Sequence, residues 1–360
     1  MAQHGQQRPQ RRRSHRHADH RSGRSGWRRI GLTLAVVGLL AAGAAAARLW
    51  PARPAADGTA AGPSTADQAR PPAPAGPATA FDSARAWTHL QQIVGIGPRP
   101  SGSPQLRQTR AYLTRQLAQI GLTVQEQPFT ATTPLGRVEM VNLIVRLPGR
   151  RADRILIGGH YDTKLFKDLT FVGANDGGSS TGFLIELARV LKARENAITI
   201  ELVFFDGEEA LVDWWHDGDN TYGSRHYVET ARRAGTLEGV RAMVLVDLVA
   251  DRNLNIRRDT HSTPWLTDLI WAAAARKGHQ QYFLPEGMPH EDDHLPFLRA
   301  GIPAVNIIDL DYAVWHTSQD TLEHVSARSL QIVADVLLEA LPKIEDRLLA
   351  QPKEKRPKGR

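Results

Sequence analysis

Three features of the sequence predict an α/β fold: a single globular domain with a mostly parallel, twisted central sheet flanked by helices on both faces. From residue 154 onward, short apolar strand-like runs alternate with amphipathic helical segments, the pattern of parallel strands joined by crossover helices. Residues of metal-ligating type (His160, Asp176, Glu208, Glu209, Asp247 and His316) follow the apolar runs, where sites form in such sheets, beyond the carboxyl ends of the strands. Finally, the chain is 360 residues long and contains no cysteine. That length suits one α/β domain of roughly 250 residues with appendages. The composition excludes disulfides and thiolate metal sites, so any metal must be held by His and carboxylate.

The first 29 residues carry nine Arg against one Asp, and the last ten carry five basic residues against one Glu. The formal charge of +7 therefore belongs to the two tails and leaves about −5 for the body. No basic stripe interleaved with aromatics occurs, so no nucleic-acid partner is expected. Residues 30–47 form an uninterrupted run of 18 apolar or small residues, just long enough to cross a bilayer. We read 1–29 as a basic cytoplasmic tail and 30–50 as a transmembrane signal-anchor, with the Arg excess placing the rest of the chain on the extracytoplasmic side. The alternative is a secreted protein cleaved after the small residues Ala44 to Ala47. Residues 51–80, rich in Pro and Ala, read as a linker, 81–347 as the catalytic domain, and 348–360 as a basic tail.

The folded body begins near Phe81 with a helix through Ala84, Trp87 and Leu90 that Gly95, Gly97 and Pro98 stop. A helix over 104–120 and two strands over 122–129 and 138–147 follow, the strands separated by Thr-Pro-Leu-Gly turn chemistry. The spacing then predicts strands at 154–159, 198–205, 242–247 and 304–308. Helices are expected at 177–194, 221–234, 262–276, 292–299 and 326–349.

The stretch Glu201 to Glu209 focuses the argument, because an apolar run fit for a buried strand ends in paired carboxylates. Adjacent carboxylates repel, and a cation, a shared proton or solvent must compensate them. Taken singly, each candidate has an ordinary explanation: a half-buried His160, a helix cap at Asp176, a turn residue at Asp247, a loop His316. Five strand-end placements of residue types that zinc accepts carry more weight together.

The blocks His160-Tyr161-Asp162-Thr163-Lys164, Asn175-Asp176, Phe204-Phe205-Asp206-Gly207-Glu208-Glu209-Ala210, Glu291-Asp292-Asp293-His294-Leu295-Pro296-Phe297-Leu298-Arg299 and Val314-Trp315-His316-Thr317 together resemble the zinc-dependent glutaminyl-peptide cyclotransferases. These share their fold with zinc aminopeptidases. The Asp-Asp-His-Leu-Pro-Phe-Leu-Arg block, Trp214 and the Tyr222-Gly223-Ser224-Arg225-His226 turn point to the cyclotransferase side.

The resemblance implies one catalytic Zn2+ bound by Asp176, Glu209 and His316. Glu208 would be the general base and acid, with Asp247 and Asp292 in a carboxylate network around it. Trp214, Tyr312 and Trp315 would wall the pocket, and Glu291 would face the substrate's α-amine, where the animal pattern has Gln. The implied substrates are peptides or proteins with N-terminal Gln, handled by a monomer. Lys164, Arg225 and His294 are read as structural, and Asp320 as a residue that orients His316 or caps a loop. The rival reading is a two-zinc aminopeptidase in which His160 and Asp247 hold a second ion bridged by Asp176. A catalytically silent, membrane-tethered binding protein is the remaining alternative.

Overall fold

The structure, a computed structural model, describes residues 79–213 and 218–351. The basic tail at 1–29, the apolar run, residues 51–78 of the linker, the pocket residue Trp214 and residues 352–360 of the C-terminal tail lie outside the described residues. No helix among the described residues is long and apolar enough to cross a membrane.

The helices start where capping chemistry is available. Helix α1 (Ser83–Ile96) is capped by Asp82, whose carboxylate accepts from the amides of Ala84 and Arg85. Helix α2 (Pro104–Gln119) is capped by Ser103 and has Pro in its first turn, where a missing N–H costs nothing. Strands β1 (Val124–Thr133) and β2 (Gly136–Leu147) form an antiparallel hairpin. Its turn lies where Thr-Pro-Leu-Gly is written in the sequence. Then come β3 (Arg151–His160), α3 (Gly178–Ala193), β4 (Ile198–Phe205), α4 (Tyr222–Arg233) and β5 (Val240–Asp247). They are followed by β6 (Ile256–Asp259), α5 (Pro264–Arg276), β7 (Phe283–Met288), α6 (Leu295–Arg299), β8 (Ala304–Ile308) and α7 (Ala327–Ala350).

The main sheet has the order β1-β2-β4-β3-β5-β8. The pairs β3/β4, β3/β5 and β5/β8 are parallel, whereas β1/β2 and β2/β4 are antiparallel. Alternation along the strands sends Ile155, Ile157, Leu202, Phe204, Val244 and Val246 to one face, where the larger core also holds Phe183, Ile270 and Leu337 from α3, α5 and α7. Leu156, Val203, Phe205, Met243 and Leu245 go to the other face, against Tyr227 and Val228 of α4 and Phe297 of α6. Both faces are therefore covered, as the near-continuous apolar strands require. A second, two-stranded parallel sheet pairs β6 with β7, and the sequence reading had not assigned those segments to strands.

Candidate active site

The parallel strands end at one edge, and the site is assembled from the loops beyond them. His160 closes β3, Glu208 and Glu209 follow β4, and Asp247 closes β5. Asp176 precedes α3, and His316 lies beyond β8. Two donor groups converge there, Asp176–Glu209–His316 and His160–Asp176–Asp247, each with ligand atoms mutually within 4.8 Å. His316 Nε2 lies 3.2 Å from Glu209 Oε1 and 3.3 Å from Asp176 Oδ2. His160 Nε2 lies 3.1 Å from Asp247 Oδ1 and 3.2 Å from Asp176 Oδ1. One ring nitrogen carries at most one proton, yet each of these faces two carboxylates.

The electrostatics ask for positive charge at both points. Burial works against protonation of His316, but Asp176 and Glu209 outweigh it and push the ring up to about 10. His160 is likewise driven well above the usual imidazole range against its own burial, by Asp247, Asp162 and Asp176. Burial raises Glu208 well above the ordinary carboxylate range; His160 opposes the rise, and Asp292, Glu209 and Asp293 add to it. Asp292 is raised well above its range by burial and by the neighbouring Asp247 and Asp293 charges. Its Oδ2 accepts from Asn306 Nδ2 at 2.7 Å.

The donor set fits a zinc ion. It is all nitrogen and oxygen, and its 3.2 and 3.3 Å separations match the edge of a tetrahedron built on bonds of about 2.0–2.1 Å. Three protein donors of this kind leave a further position for substrate. His160–Asp176–Asp247 has the same chemistry and shares Asp176.

The supporting structure is specific. Gly177 has φ +72°, and a Cβ there would come within 2.3 Å of Asp162 O, so the chain enters α3 through a turn that only glycine makes without strain. His316 and Leu248, which both line the pocket, are themselves left-handed at φ +55° and +49°. For non-glycine residues this conformation is uncommon and is found where surrounding structure enforces it. Trp315 stacks on His316 with ring centres 3.9 Å apart, and Phe166 and Phe171 hold the same ring edge-on. Asp162 accepts the backbone N–H groups of Glu208 and Glu209 at 3.3 Å each, which fixes the direction of the paired carboxylates.

Two residues hold the Asp176 loop from behind. The buried Arg99 guanidinium donates to the carbonyls of Tyr161, Val172, Gly173 and Asp176. Asp320 accepts the N–H groups of Asn175 at 2.8 Å and Asp176 at 3.1 Å. Asp320 thus caps the Asp176 loop, the second of the two roles that the sequence suggested for it, beside orienting His316. Arg99 carried no signal beyond its place in a Gly-Pro-Arg-Pro turn. Asp162 was legible as a strand-end acid, without an assigned task.

Glu208, Glu209, Asp176, Asp247, Asp292, Glu291, Trp315 and His316 all line one pocket of about 490 Å³. Trp315 is 42 % exposed at its mouth, and Glu291 is exposed beside it. Tyr312 is placed differently from the expectation. It is 5 % exposed, packs among Leu248, Ile308 and Val314, and donates its hydroxyl to Asp320 Oδ1 at 2.8 Å. A buried hydroxyl needs a partner, and this one finds it behind the pocket, where Leu310 lines the wall instead. Lys164 lines the pocket but donates to Ala210 O at 2.9 Å, and His294 is fully buried. His261 and His290 also line the pocket, and the sequence reading had passed over both.

The family model described as Peptidase family M28 matches residues 142–341. A glutaminyl-peptide cyclotransferase-like protein of Mus musculus is 33 % identical over 272 residues, covering 67 % of this chain and 70 % of its own length. The solved glutaminyl cyclase of an Acidobacteriales bacterium is 40 % identical with a TM-score of 0.71, covering 77 % of this chain and 99 % of that one. A leucine aminopeptidase precursor from Bacteroides thetaiotaomicron is 25 % identical with a TM-score of 0.68, covering 73 % of this chain and 97 % of its own.

Proposed function

The chain belongs to peptidase family M28, and we infer that within it the protein is a glutaminyl-peptide cyclotransferase, closing the N-terminal glutamine of peptides to pyroglutamate with release of ammonia. The observation that carries this reading is a buried carboxylate, Glu208, beside three converging donors at the floor of a pocket, in a chain 40 % identical to a solved glutaminyl cyclase.

Asp176, Glu209 and His316 would hold one zinc ion, which when bound supplies a Lewis acid for the γ-carboxamide oxygen. Glu208 takes a proton from the substrate's α-amine as the amine's lone pair attacks the carbonyl carbon of the γ-carboxamide and forms the new C–N bond of a five-membered lactam. The same carboxyl group returns that proton to the departing nitrogen as the old C–N bond breaks, and ammonia leaves. No water is consumed. The nucleophile belongs to the substrate, so holding the chain in a folded pose supplies much of the rate. Asp247 and Asp292 line the same pocket as Glu208, the Asp292 charge helps to keep a proton on it, and Asn306 fixes the orientation of Asp292. Trp315 forms the exposed wall and Glu291 faces the cationic end of the substrate. By the family pattern Trp214 would join them. All the described donors come from one chain, so a monomer suffices.

A second reading, a two-zinc aminopeptidase, is favoured by one observation: His160–Asp176–Asp247 is also a convergent donor group. Mass spectrometry of Gln-peptides and Leu-peptides incubated with the zinc-loaded protein separates the two. Cyclisation removes the mass of one ammonia from the Gln-peptide and leaves the Leu-peptide untouched, whereas loss of the N-terminal leucine would overturn the cyclotransferase reading.

The apolar run at 30–47 supports a further proposal, that the domain is tethered on the extracytoplasmic side of a membrane. Expressed as the full chain, the protein should then remain in the membrane pellet after alkaline carbonate washing, and recovery in the wash would reject the anchor.

A further inference from the structure

In one wall of the pocket, the wall that β6 and β7 supply, only Glu291 has a task in the chemistry above. Beyond their ends lie His261, Pro289, His290 and Glu291, all in the pocket lining. The His261 side chain is 44 % exposed, yet one side of its ring is tied down. Nδ1 lies 2.9 Å from the carbonyl oxygen of His290. A carbonyl only accepts, so Nδ1 carries the ring proton and Nε2 of the neutral ring is an acceptor. Among the described residues none bonds that Nε2.

The base of the ring is rigid. Asp259, at the end of β6, accepts the backbone N–H groups of His261 at 3.3 Å and His290 at 3.0 Å through Oδ1. Its Oδ2 accepts the Ser262 hydroxyl at 2.6 Å. The backbone on either side of the pocket's edge is thereby fixed to one carboxylate, and the acceptor nitrogen is held at the mouth before any ligand arrives. Groups fixed in this way lose little freedom on binding.

A peptide whose first residue reaches the floor of the pocket must leave through this mouth, and it offers one N–H per residue as it does so. We propose that His261 Nε2 accepts a peptide N–H from the substrate beyond its N-terminal glutamine, making His261 a substrate-binding residue that selects peptides over single glutamine derivatives. The proposal rests on the cyclotransferase reading of the pocket.

Substrate and protein can each be altered by one group. Short Gln-peptides would be compared with analogues in which an ester oxygen replaces the first or the second peptide N–H, on the wild-type protein, His261→Ala and His261→Gln. In the wild type one of the two esters should show a kcat/KM about 2- to 10-fold below the amide, the worth of one hydrogen bond. In His261→Ala that preference should vanish, and His261→Gln, which keeps an acceptor, should restore part of it. An ester penalty that survives in His261→Ala, or a variant that lowers kcat equally on every substrate, would show that His261 only braces the His290 loop and overturn the proposal. Were the wild type to release no ammonia, the reaction assigned above would fall. Calorimetric titration of the same amide and ester peptides would still decide the contact.

Discussion

The side chain on which the chemistry turns is Glu208, because it combines burial, a place in the pocket lining and a backbone clamped by Asp162, and unlike Glu209 it stands outside both convergent donor groups. Replacing it with Gln keeps shape and hydrogen bonding and removes the proton carrier. We expect Glu208→Gln to lower turnover by about 10²–10⁴-fold while zinc content and thermal unfolding stay near those of the wild type. Activity retained within a few-fold would move the proton transfer to another group. Arg99 is a different kind of residue. Burial pulls its guanidinium down to about 10 against the charges of Asp162, Asp176 and Asp320, so it remains a cation at neutral pH. Its N–H groups are spent on four backbone carbonyls around the Asp176 loop. Arg99→Met should cost about 3–5 kcal/mol in urea unfolding, and zinc affinity should fall with it, since the Asp176 loop loses its support. A loss under about 1 kcal/mol would mean that water replaces the guanidinium without strain.

Among the elements, α4 has the most exacting fit, and its fit sets the position of the paired glutamates. Thr221 N–H donates to Glu208 O at 2.9 Å and Tyr222 N–H to Gly207 O at 2.7 Å. Behind them a Cβ on Gly223 would lie 2.4 Å from Asn142 Oδ1 and 2.6 Å from Asp206 O. Gly223→Ala should therefore push the helix off the middle of β2 and the end of β4, cost about 1–3 kcal/mol of stability, and lower activity more than any substitution on the exposed face of α4. The variant's zinc affinity, read by competition with a chelating dye, should drop in step, and unchanged affinity would show that the glutamate loop moves independently of the helix. The sequence made α4 legible through its apolar spacing, and β3, β4, β5 and β8 through apolar runs, because strands buried on both faces are written that way. It left β6 and β7 unread for the converse reason. Ile256–Asp259 is four residues, two of them arginine, and Phe283–Met288 contains Pro and Gly. Pairing between two short, half-exposed segments far apart in sequence leaves no periodic trace. The same holds within the site: ligand types at strand ends were visible, whereas Arg99, Asp320 and Tyr312 acquire their roles only from loops that the fold brings together.

At the scale of the whole molecule, the site is the point where loops from four parallel strands are pressed together with their carboxylates facing one another. Folding brings Asp176, Glu208, Glu209, Asp247 and Asp292 into one buried region, and their mutual repulsion must be offset by cations. A metal that binds only this assembled arrangement stabilises the entire domain. At a free zinc concentration 100 times its Kd the contribution is about 2.7 kcal/mol, which for a domain of this size corresponds to a fall in Tm of about 5–10 °C when a chelator strips the ion. Readdition of zinc should restore both Tm and activity; an unchanged Tm would remove zinc from Asp176, Glu209 and His316. The number of ions is tested at His160. Its Nε2 stands between Asp176 and Asp247 and its Nδ1 lies 3.5 Å from Asp162 Oδ1, so the imidazole itself spans the carboxylates that a second ion would have to join. With the ring in that role the chain should bind one zinc, and His160→Ala should still bind one, with lower stability because two acids then face each other without a partner. Two zinc ions per wild-type chain falling to one in His160→Ala would instead assign His160 as a ligand and reopen the aminopeptidase reading.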